Sequence, residues 1–457
     1  MEKDFPEEFK SRMLETLGPE EYGAFIGALS SPSPVSIRIN PLKINKDALP
    51  GIEEEVPWCR YGYYLHSRPV FTLDPLLHGG AYYVQEASSM FISFLLSALP
   101  LERGMRVLDM CASPGGKSTL VSSELPEGSL LVSNEFVKSR LGILKENMVK
   151  WGGGNGVITS SDAADFGKCG PVFDLILVDA PCSGEGMFRK DDVAIEEWST
   201  DNLKMCEQRQ RYILTEVWKA LKPGGYMIYS TCTFNPGENI RMLEFKEKEL
   251  GACSVDMHAP FQGIKSYTAP YGYAFMPHRV KGEGFFAGVL RKEEGESAPV
   301  LPAGKKSRKS AGPQKSAIPR EFQGMVKDMQ KYEIYAEGEV WGVVPAAHAA
   351  FIDSLSKTVK VHYKGCELMQ MMGHKMKPLP ASAFFQDLER KSFYVADVGR
   401  MDALKFLKRE DIEVDAPEGK WVLVSYRGVG LGWGKKLSNR LNNNYPKNWM
   451  IRMSINI

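Results

Sequence analysis

Two cysteines stand where chemistry is done. Cys182 lies in Asp179-Ala-Pro-Cys-Ser-Gly-Glu-Gly and Cys232 in Ser230-Thr-Cys-Thr, each just past a short apolar run, residues 173–178 and 226–230, that reads as a buried parallel strand. Doubly wound sheets bind ligands in the crevice outside the carboxyl ends of their strands, so this placement predicts two thiols facing one pocket. Free cysteine is most often a small buried hydrophobe. Structural thiols keep apolar company, however, whereas these two sit among Pro, Ser, Thr and Gly with a carboxylate at Asp179. The other six cysteines read as packing residues, Cys111 excepted.

A thiol pair beside a carboxyl group suits one reaction class in particular. Carbon 5 of a pyrimidine is a poor nucleophile, and adding a thiolate to carbon 6 makes it enamine-like and able to attack an electrophilic methyl group. A carboxyl group at ring nitrogen 3 would stabilise the charge that builds up. Afterwards a base must remove the carbon 5 proton so that the thiol can leave, a step the second cysteine could assist.

Such a reaction needs a methyl donor, and a cofactor loop is present. Asp109-Met-Cys-Ala-Ser-Pro-Gly-Gly-Lys-Ser-Thr follows a predicted strand and opens a predicted helix, so Gly115 and Gly116 would admit close backbone approach and the helix would offer free amides to a carboxylate or phosphate. Cys111 replaces the first glycine of a Walker A loop, and G-x-G-x-x-G is not matched either. Glu135 ends the next strand about twenty residues on, where an acid commonly bonds ribose hydroxyls. Asp162 follows the third strand, where it would either accept from an adenine amino group or simply cap a helix. Together these point to a nucleoside-containing cofactor.

These residues must be positioned by a large scaffold. The 457 residues exceed one typical domain and allow two to four. No apolar run reaches the roughly 18 to 20 residues of a membrane span, and residues 1–10 are too acidic for a signal or transit peptide, so a cytoplasmic protein is expected. Eight scattered cysteines without a C-x-x-C pair, and seven histidines, fit neither a disulfide framework nor a zinc site. No metal is expected. The net charge of +1 hides an asymmetry, since residues 1–24 are acidic while 421–457 carry six Lys or Arg and no Asp or Glu. A nucleic acid would be gripped locally.

Strand-like and helix-like stretches alternate from 105 to 290, which predicts a Rossmann-like, doubly wound α/β domain. Its strands are expected at 105–109, 129–134, 156–159, 173–178, 226–230 and 285–290, with a helix over 203–221 ended by Lys222-Pro-Gly-Gly. Ahead of it lies an accessory region with a helical start and a run, 35–40, that alternates like an exposed strand. Behind it a stretch rich in Lys, Ser, Gly, Pro and Ala reads as a linker, and strands at 340–344, 392–395 and 421–426 suggest a mixed C-terminal region. The division expected is an accessory region over 1–96, the doubly wound domain over 97–292, a basic linker over 293–320 and a C-terminal region over 321–457.

Taken together, Cys111-Ala-Ser-Pro-Gly-Gly-Lys117, Asp179-Ala-Pro-Cys182-Ser-Gly and Ser230-Thr-Cys232-Thr resemble the NOL1/NOP2/Sun family of S-adenosylmethionine-dependent RNA cytosine-5 methyltransferases. The similarity runs from about Val35 through Gln85-Glu86 and Pro277-His278 to Glu283-Gly-Phe-Phe. It implies that Cys232 is the nucleophile, Cys182 the product-release cysteine, and Asp179 the group facing both cofactor and base. DNA cytosine-5 methyltransferases use the cysteine of the Pro-Cys motif instead, an analogy that would make Cys182 the attacker; the Thr-Cys motif belongs to the RNA family and favours Cys232. The resemblance further implies that Cys111, Ala112, Ser113, Pro114, Gly115, Gly116 and Lys117 hold the methionine end of S-adenosylmethionine, with Glu135 at its ribose and Asp162 at its adenine. Arg140 and Lys190 match polar family positions. Glu135 stands where many relatives have Asp, keeping the carboxylate but lengthening its reach.

The C-terminal region looks like a PUA-like RNA-binding fold. In it, Gly430-Leu-Gly-Trp-Gly-Lys-Lys and Arg440-Leu-Asn-Asn-Asn-Tyr-Pro-Lys-Asn-Trp interleave cations with aromatics suited to phosphate contact and base stacking, the alternative being a solvated lysine-rich surface around a tryptophan core. Lys305-Lys-Ser-Arg-Lys is a weaker signal of the same kind. The expected partner is small-subunit (16S) ribosomal RNA or the small subunit itself, and the expected state a monomer. Transfer RNA as substrate, or an inactive ribosome-assembly factor that only binds RNA, are the alternatives.

Overall fold

The computed structural model of the chain describes residues 3–295, 319, 322, 324–373 and 375–455. Its centre is a ten-stranded sheet in which Arg106–Asp109, Leu130–Asn134, Gly156–Thr159, Phe173–Asp179 and Leu221–Thr231 run parallel. Arg106–Asp109 lies between Leu130–Asn134 and Phe173–Asp179, which is where strand order reverses and a doubly wound sheet opens its binding crevice. Phe285–Lys292 pairs antiparallel with Leu221–Thr231 on one side. Apolar side chains alternate between two cores. Leu108, Ile176 and Met227 join one, and Val107, Leu175, Leu177 and Ile228 join the other. Both faces are covered, which is why these strands read as unbroken apolar runs.

Two expected boundaries shift. The long helix spans Thr200–Trp218 rather than 203–221, and Lys222-Pro-Gly-Gly lies inside the strand Leu221–Thr231. There Phe173 pairs with Leu221 and Leu175 with Tyr226, so the strand carries extra residues opposite Asp174 and bulges, with Gly224 at φ 74°. The strand expected at 392–395 begins later, as Tyr394–Asp397, because Arg390–Ser392 closes a 3-10 turn.

The N-terminal residues form helices Glu7–Leu17 and Pro19–Leu29 and an antiparallel sheet ordered Ile52–Glu55, Gly62–Leu65, Ser36–Ile39, Tyr82–Val84. Ser36–Ile39 alternates as the sequence suggests, but it is not exposed: Ser36, Arg38 and Asn40 are buried along with Ile37 and Ile39. Its polar face is turned onto the central domain, where Arg38 bonds Gly116 and Thr119, and Asn40 bonds the Trp151 carbonyl.

Beyond the central domain lie two further four-stranded sheets. One runs Tyr332–Glu337, Val340–Pro345, Cys366–Met372, Lys375–Pro378, and the other Tyr394–Asp397, Trp421–Tyr426, Val429–Lys436, Leu441–Asn443. The first is tied into the centre: Val361–Lys364, from the same region, extends the central sheet antiparallel to Gly156–Thr159. Phe351, Ile352 and Leu355 of the helix Ala349–Leu355 pack into a central core. Of the expected linker, only 293–295 and 319 belong to the described residues, and Lys305-Lys-Ser-Arg-Lys lies outside them. Two aromatics expected to stack on bases are structural: Trp433, 2% exposed, donates its Nε1–H to the Ser382 hydroxyl, and Tyr445, 0% exposed, packs against Phe406. Trp449 is half-buried.

Candidate active site

The carboxyl ends of the parallel strands bring the motifs together around a cavity of about 300 Å³. Asp179 ends Phe173–Asp179, and Cys232 follows Leu221–Thr231 directly. Cys232, Asp179, Lys117, Ala112, Ser113, Pro114 and Gly116 line the cavity, as do Lys190, Tyr83, Gln85, Glu283 and Phe285. Cys182 is not in the lining. It stands behind Cys232, with the two Sγ atoms 3.3 Å apart, so one thiol faces the pocket and the second supports it. The turn after Asp179 bends the chain back, and a fully buried Glu238 holds it there by accepting from the Ser183 amide at 2.9 Å and the Ser183 hydroxyl at 2.6 Å.

The charges are arranged to favour a thiolate at Cys232. Cys182 donates its S–H toward Cys232 and so draws that thiol below the ordinary value; Lys117 and Lys190 add to this, against burial and the charge of Asp179. Cys182 is pushed well above the usual thiol range by its bond with Cys232 and by burial. Asp179 is fixed from both sides, by Lys117 Nζ at 2.8 Å on one oxygen and by the Ser230 hydroxyl at 2.8 Å on the other. Burial draws the Lys117 ammonium down, but the ion pair with Asp179 outweighs it and holds it above its usual range. Asp109, fully buried beneath the loop and bonded by Ser118 Oγ at 2.5 Å, is pushed up to about 7 by burial. Cys111 is raised well above the ordinary thiol by burial, then by Asp109, and is unreactive packing for the loop.

The loop itself is built to present backbone. Gly115 has φ 113°, a conformation that side chains resist, and a Cβ on Gly116 would come within 3.2 Å of the Tyr83 ring. Arg140 Nη2 donates to the Ser113 carbonyl at 2.8 Å and Asn147 Nδ2 to that of Pro114 at 2.8 Å. Glu135 accepts from the Val137 amide at 2.7 Å and lies 3.5 Å from Arg140. Asp162 caps the helix Ala163–Lys168 through the Ala164 amide at 2.9 Å and accepts from the Tyr212 hydroxyl. Neither acid is among the residues lining the cavity with Cys232.

Sequence reasoning gave Lys190 no definite role and missed Glu185. Glu185 is fully buried and takes bonds from Arg12 at 2.5 Å, Trp198 Nε1 at 2.8 Å and the Phe234 amide at 3.1 Å. It thereby ties the N-terminal helix Glu7–Leu17 to the segment that carries Met187 and Lys190 into the cavity. A buried acid this far from its partner in sequence leaves no local signal.

The chain matches family models along most of its length. Residues 96–291 match the 16S rRNA methyltransferase RsmB/F model, 5–87 the N-terminal domain of 16S rRNA methyltransferase RsmF, and 393–451 the methyltransferase RsmF PUA domain. It is similar to the ribosomal RNA small subunit methyltransferase F of Pectobacterium atrosepticum, 30% identical over 97% of this chain and 94% of that one. The same protein of Shewanella oneidensis is 30% identical over 93% and 92%. The chain belongs to the RsmF-like branch of the NOL1/NOP2/Sun family.

Solved structures share the fold of a little under two thirds of the chain. A methyltransferase homologue from Pyrococcus horikoshii, 27% identical, covers 63% of this chain and 95% of its own with a TM-score of 0.55. NSun6 from the same organism, solved with SFG, is 20% identical and covers 64% and 99% with a TM-score of 0.56. The fold is thus the Rossmann-like methyltransferase fold with a C-terminal PUA domain, and S-adenosylmethionine is the cofactor. The residues present fit it, with glycine backbone bared beside a helix start and a carboxylate one strand away. Among the described residues no helix is long and apolar enough to cross a membrane, and no group of three or more His, Cys, Asp or Glu could hold a metal ion.

Proposed function

We propose that this RsmF-like chain methylates carbon 5 of cytidine in 16S ribosomal RNA through a covalent adduct at Cys232. The Cys232 thiolate attacks carbon 6 of a base flipped into the cavity, forming a C–S bond while the ring's π electrons move toward carbon 5 and nitrogen 3. Nitrogen 3 takes a proton as that charge develops, relayed through Asp179 from the Lys117 ammonium 2.8 Å away, with Ser230 holding the other carboxylate oxygen. When bound, S-adenosylmethionine supplies the electrophilic methyl group that carbon 5 takes. Transfer of the carbon 5 proton to a water molecule, with the nitrogen 3 proton returned to the Asp179–Lys117 pair, then restores the double bond and expels the Cys232 thiolate, and Cys182, held 3.3 Å away, assists that release. The loop 111–117 carries the methionine end of the cofactor, Glu135 its ribose and Asp162 its adenine.

The observation that carries this reading is the meeting of Cys232, Asp179 and the glycine loop on one cavity, with Cys182 directly behind the exposed thiol. The relatives' printed activity supplies the substrate, small-subunit rRNA, and the PUA domain the means of holding it. The partner is then the RNA or the subunit that contains it, met in the cytoplasm. The test is methylation of 16S rRNA or small subunits with labelled S-adenosylmethionine, followed by nucleoside mass spectrometry. Label in 5-methylcytidine is expected; label on another atom, or only in transfer RNA, overturns the proposal.

A further inference from the structure

Arg38 is a buried cation at the seam between the N-terminal sheet and the central domain. It projects from the N-terminal strand Ser36–Ile39, is 1% exposed, and makes no ion pair with a carboxylate among the described residues. Its guanidinium is spread over neutral groups instead. Nε donates to Gln85 Oε1 at 2.8 Å, Nη2 to the Gly116 carbonyl at 3.0 Å and to Thr119 Oγ1 at 2.6 Å, and its carbon lies 4.6 Å from the Trp151 ring. Nη1 has no partner. Taking such a cation out of water is expensive, and apolar residues of similar volume would glue two domains together at lower cost.

What the fork reaches explains its presence. Gly116 opens the helix Gly116–Glu124 and belongs to the glycine loop, Gln85 lines the same cavity, and Tyr83, whose ring covers Gly116, is the cross-strand neighbour of Arg38. One planar side chain therefore bonds two walls of the cavity at once, which a lysine, with a single point of attachment, cannot reproduce. We infer that Arg38 is a positioning residue for cofactor binding: the N-terminal domain, through its guanidinium, holds the loop carbonyl of Gly116 so that the neighbouring amides face S-adenosylmethionine. The N-terminal domain is then part of the cofactor site as well as a candidate RNA arm. This rests on the reading of the cavity as the cofactor site.

The test measures S-adenosylmethionine affinity by calorimetry, alongside RNA affinity and melting temperature, for the wild type, Arg38→Lys and Thr119→Val. Thr119→Val keeps the shape and removes one of Arg38's acceptors together with that hydroxyl's own bonds to the Gly115 and Gly116 carbonyls at 2.8 and 3.0 Å, so an unchanged cofactor affinity in it counts against the inference even where Arg38→Lys fails to fold. Expected are a cofactor Kd raised about ten- to hundredfold in Arg38→Lys and about three- to tenfold in Thr119→Val, a smaller rise in melting temperature on adding cofactor, unchanged RNA affinity, and a KM for cofactor that rises with kcat nearly kept. A cofactor Kd within twofold of wild type in Thr119→Val, or a loss confined to RNA affinity, overturns the inference. Failure of the wild type itself to bind the cofactor would instead remove the site reading, and the inference with it.

Discussion

The two ends of the central sheet are organised on different principles. At the carboxyl ends of Phe173–Asp179 and Leu221–Thr231, the groups that meet come from short motifs within a few residues of a strand end: Asp179, Cys182, Ser230 and Cys232. At the edge, Gly156–Thr159 is completed by Val361–Lys364, from a region the chain reaches only after leaving the domain, and the core beneath is filled by Phe351, Ile352 and Leu355. Chemistry is local in sequence here, whereas the frame that supports it is not. The C-terminal region is thus part of the central frame, because it supplies the strand that pairs with Gly156–Thr159.

Breaking the frame should have the largest effect. A chain ended at residue 295 would expose the edge of Gly156–Thr159 and the apolar seat of Phe351 and Leu355, and unpaired edges promote aggregation; it is expected to be insoluble or to lose cooperative melting by calorimetry. Soluble 1–295 with wild-type cofactor affinity would show the two regions to be independent. Within the catalytic end, Asp179→Asn keeps the shape but removes the charge between Lys117 and Ser230, and should lower kcat about 10²- to 10³-fold with little change in melting temperature. The N-terminal tie lies between the two in kind. Glu185→Ala leaves Arg12, the Trp198 indole and the Phe234 amide without their shared acceptor, and should cost about 3–5 kcal/mol in chemical denaturation.

The smallest expected effect concerns the thiols. The bond from Cys182 lowers the Cys232 pKa, so removing it in Cys182→Ala should raise that pKa, shrink the thiolate fraction at neutral pH and slow iodoacetamide modification of Cys232 severalfold. Cys182→Ser, which keeps a donor, should shift the pH profile less. Equal profiles in all three proteins would mean that the second thiol does not tune the first.

The same contrast explains what was legible in the sequence. The parallel strands were readable because burial on both faces leaves apolar runs, and the site residues because glycines, cysteines and acids cluster at the strand ends. The bulge at Lys222-Pro-Gly-Gly was not, since proline and glycine signal a break without saying whether a helix ends or a strand bends. Nor was the burial of Arg38, as alternation along a strand reports two faces but not what covers the polar one. The docking of Val361–Lys364 carries no local signal at all, and the position of Cys182 behind Cys232 depends on a turn held by Glu238 from a later segment.

The central claim is that Cys232 attacks and Cys182 releases. Its most direct test is to incubate wild type, Cys182→Ala and Cys232→Ala with small-subunit RNA and S-adenosylmethionine and run denaturing gels. A covalent protein–RNA band that accumulates in Cys182→Ala and is absent, together with methylated product, in Cys232→Ala is the predicted result. The reverse pattern, a band in Cys232→Ala and none in Cys182→Ala, would contradict it and make Cys182 the nucleophile.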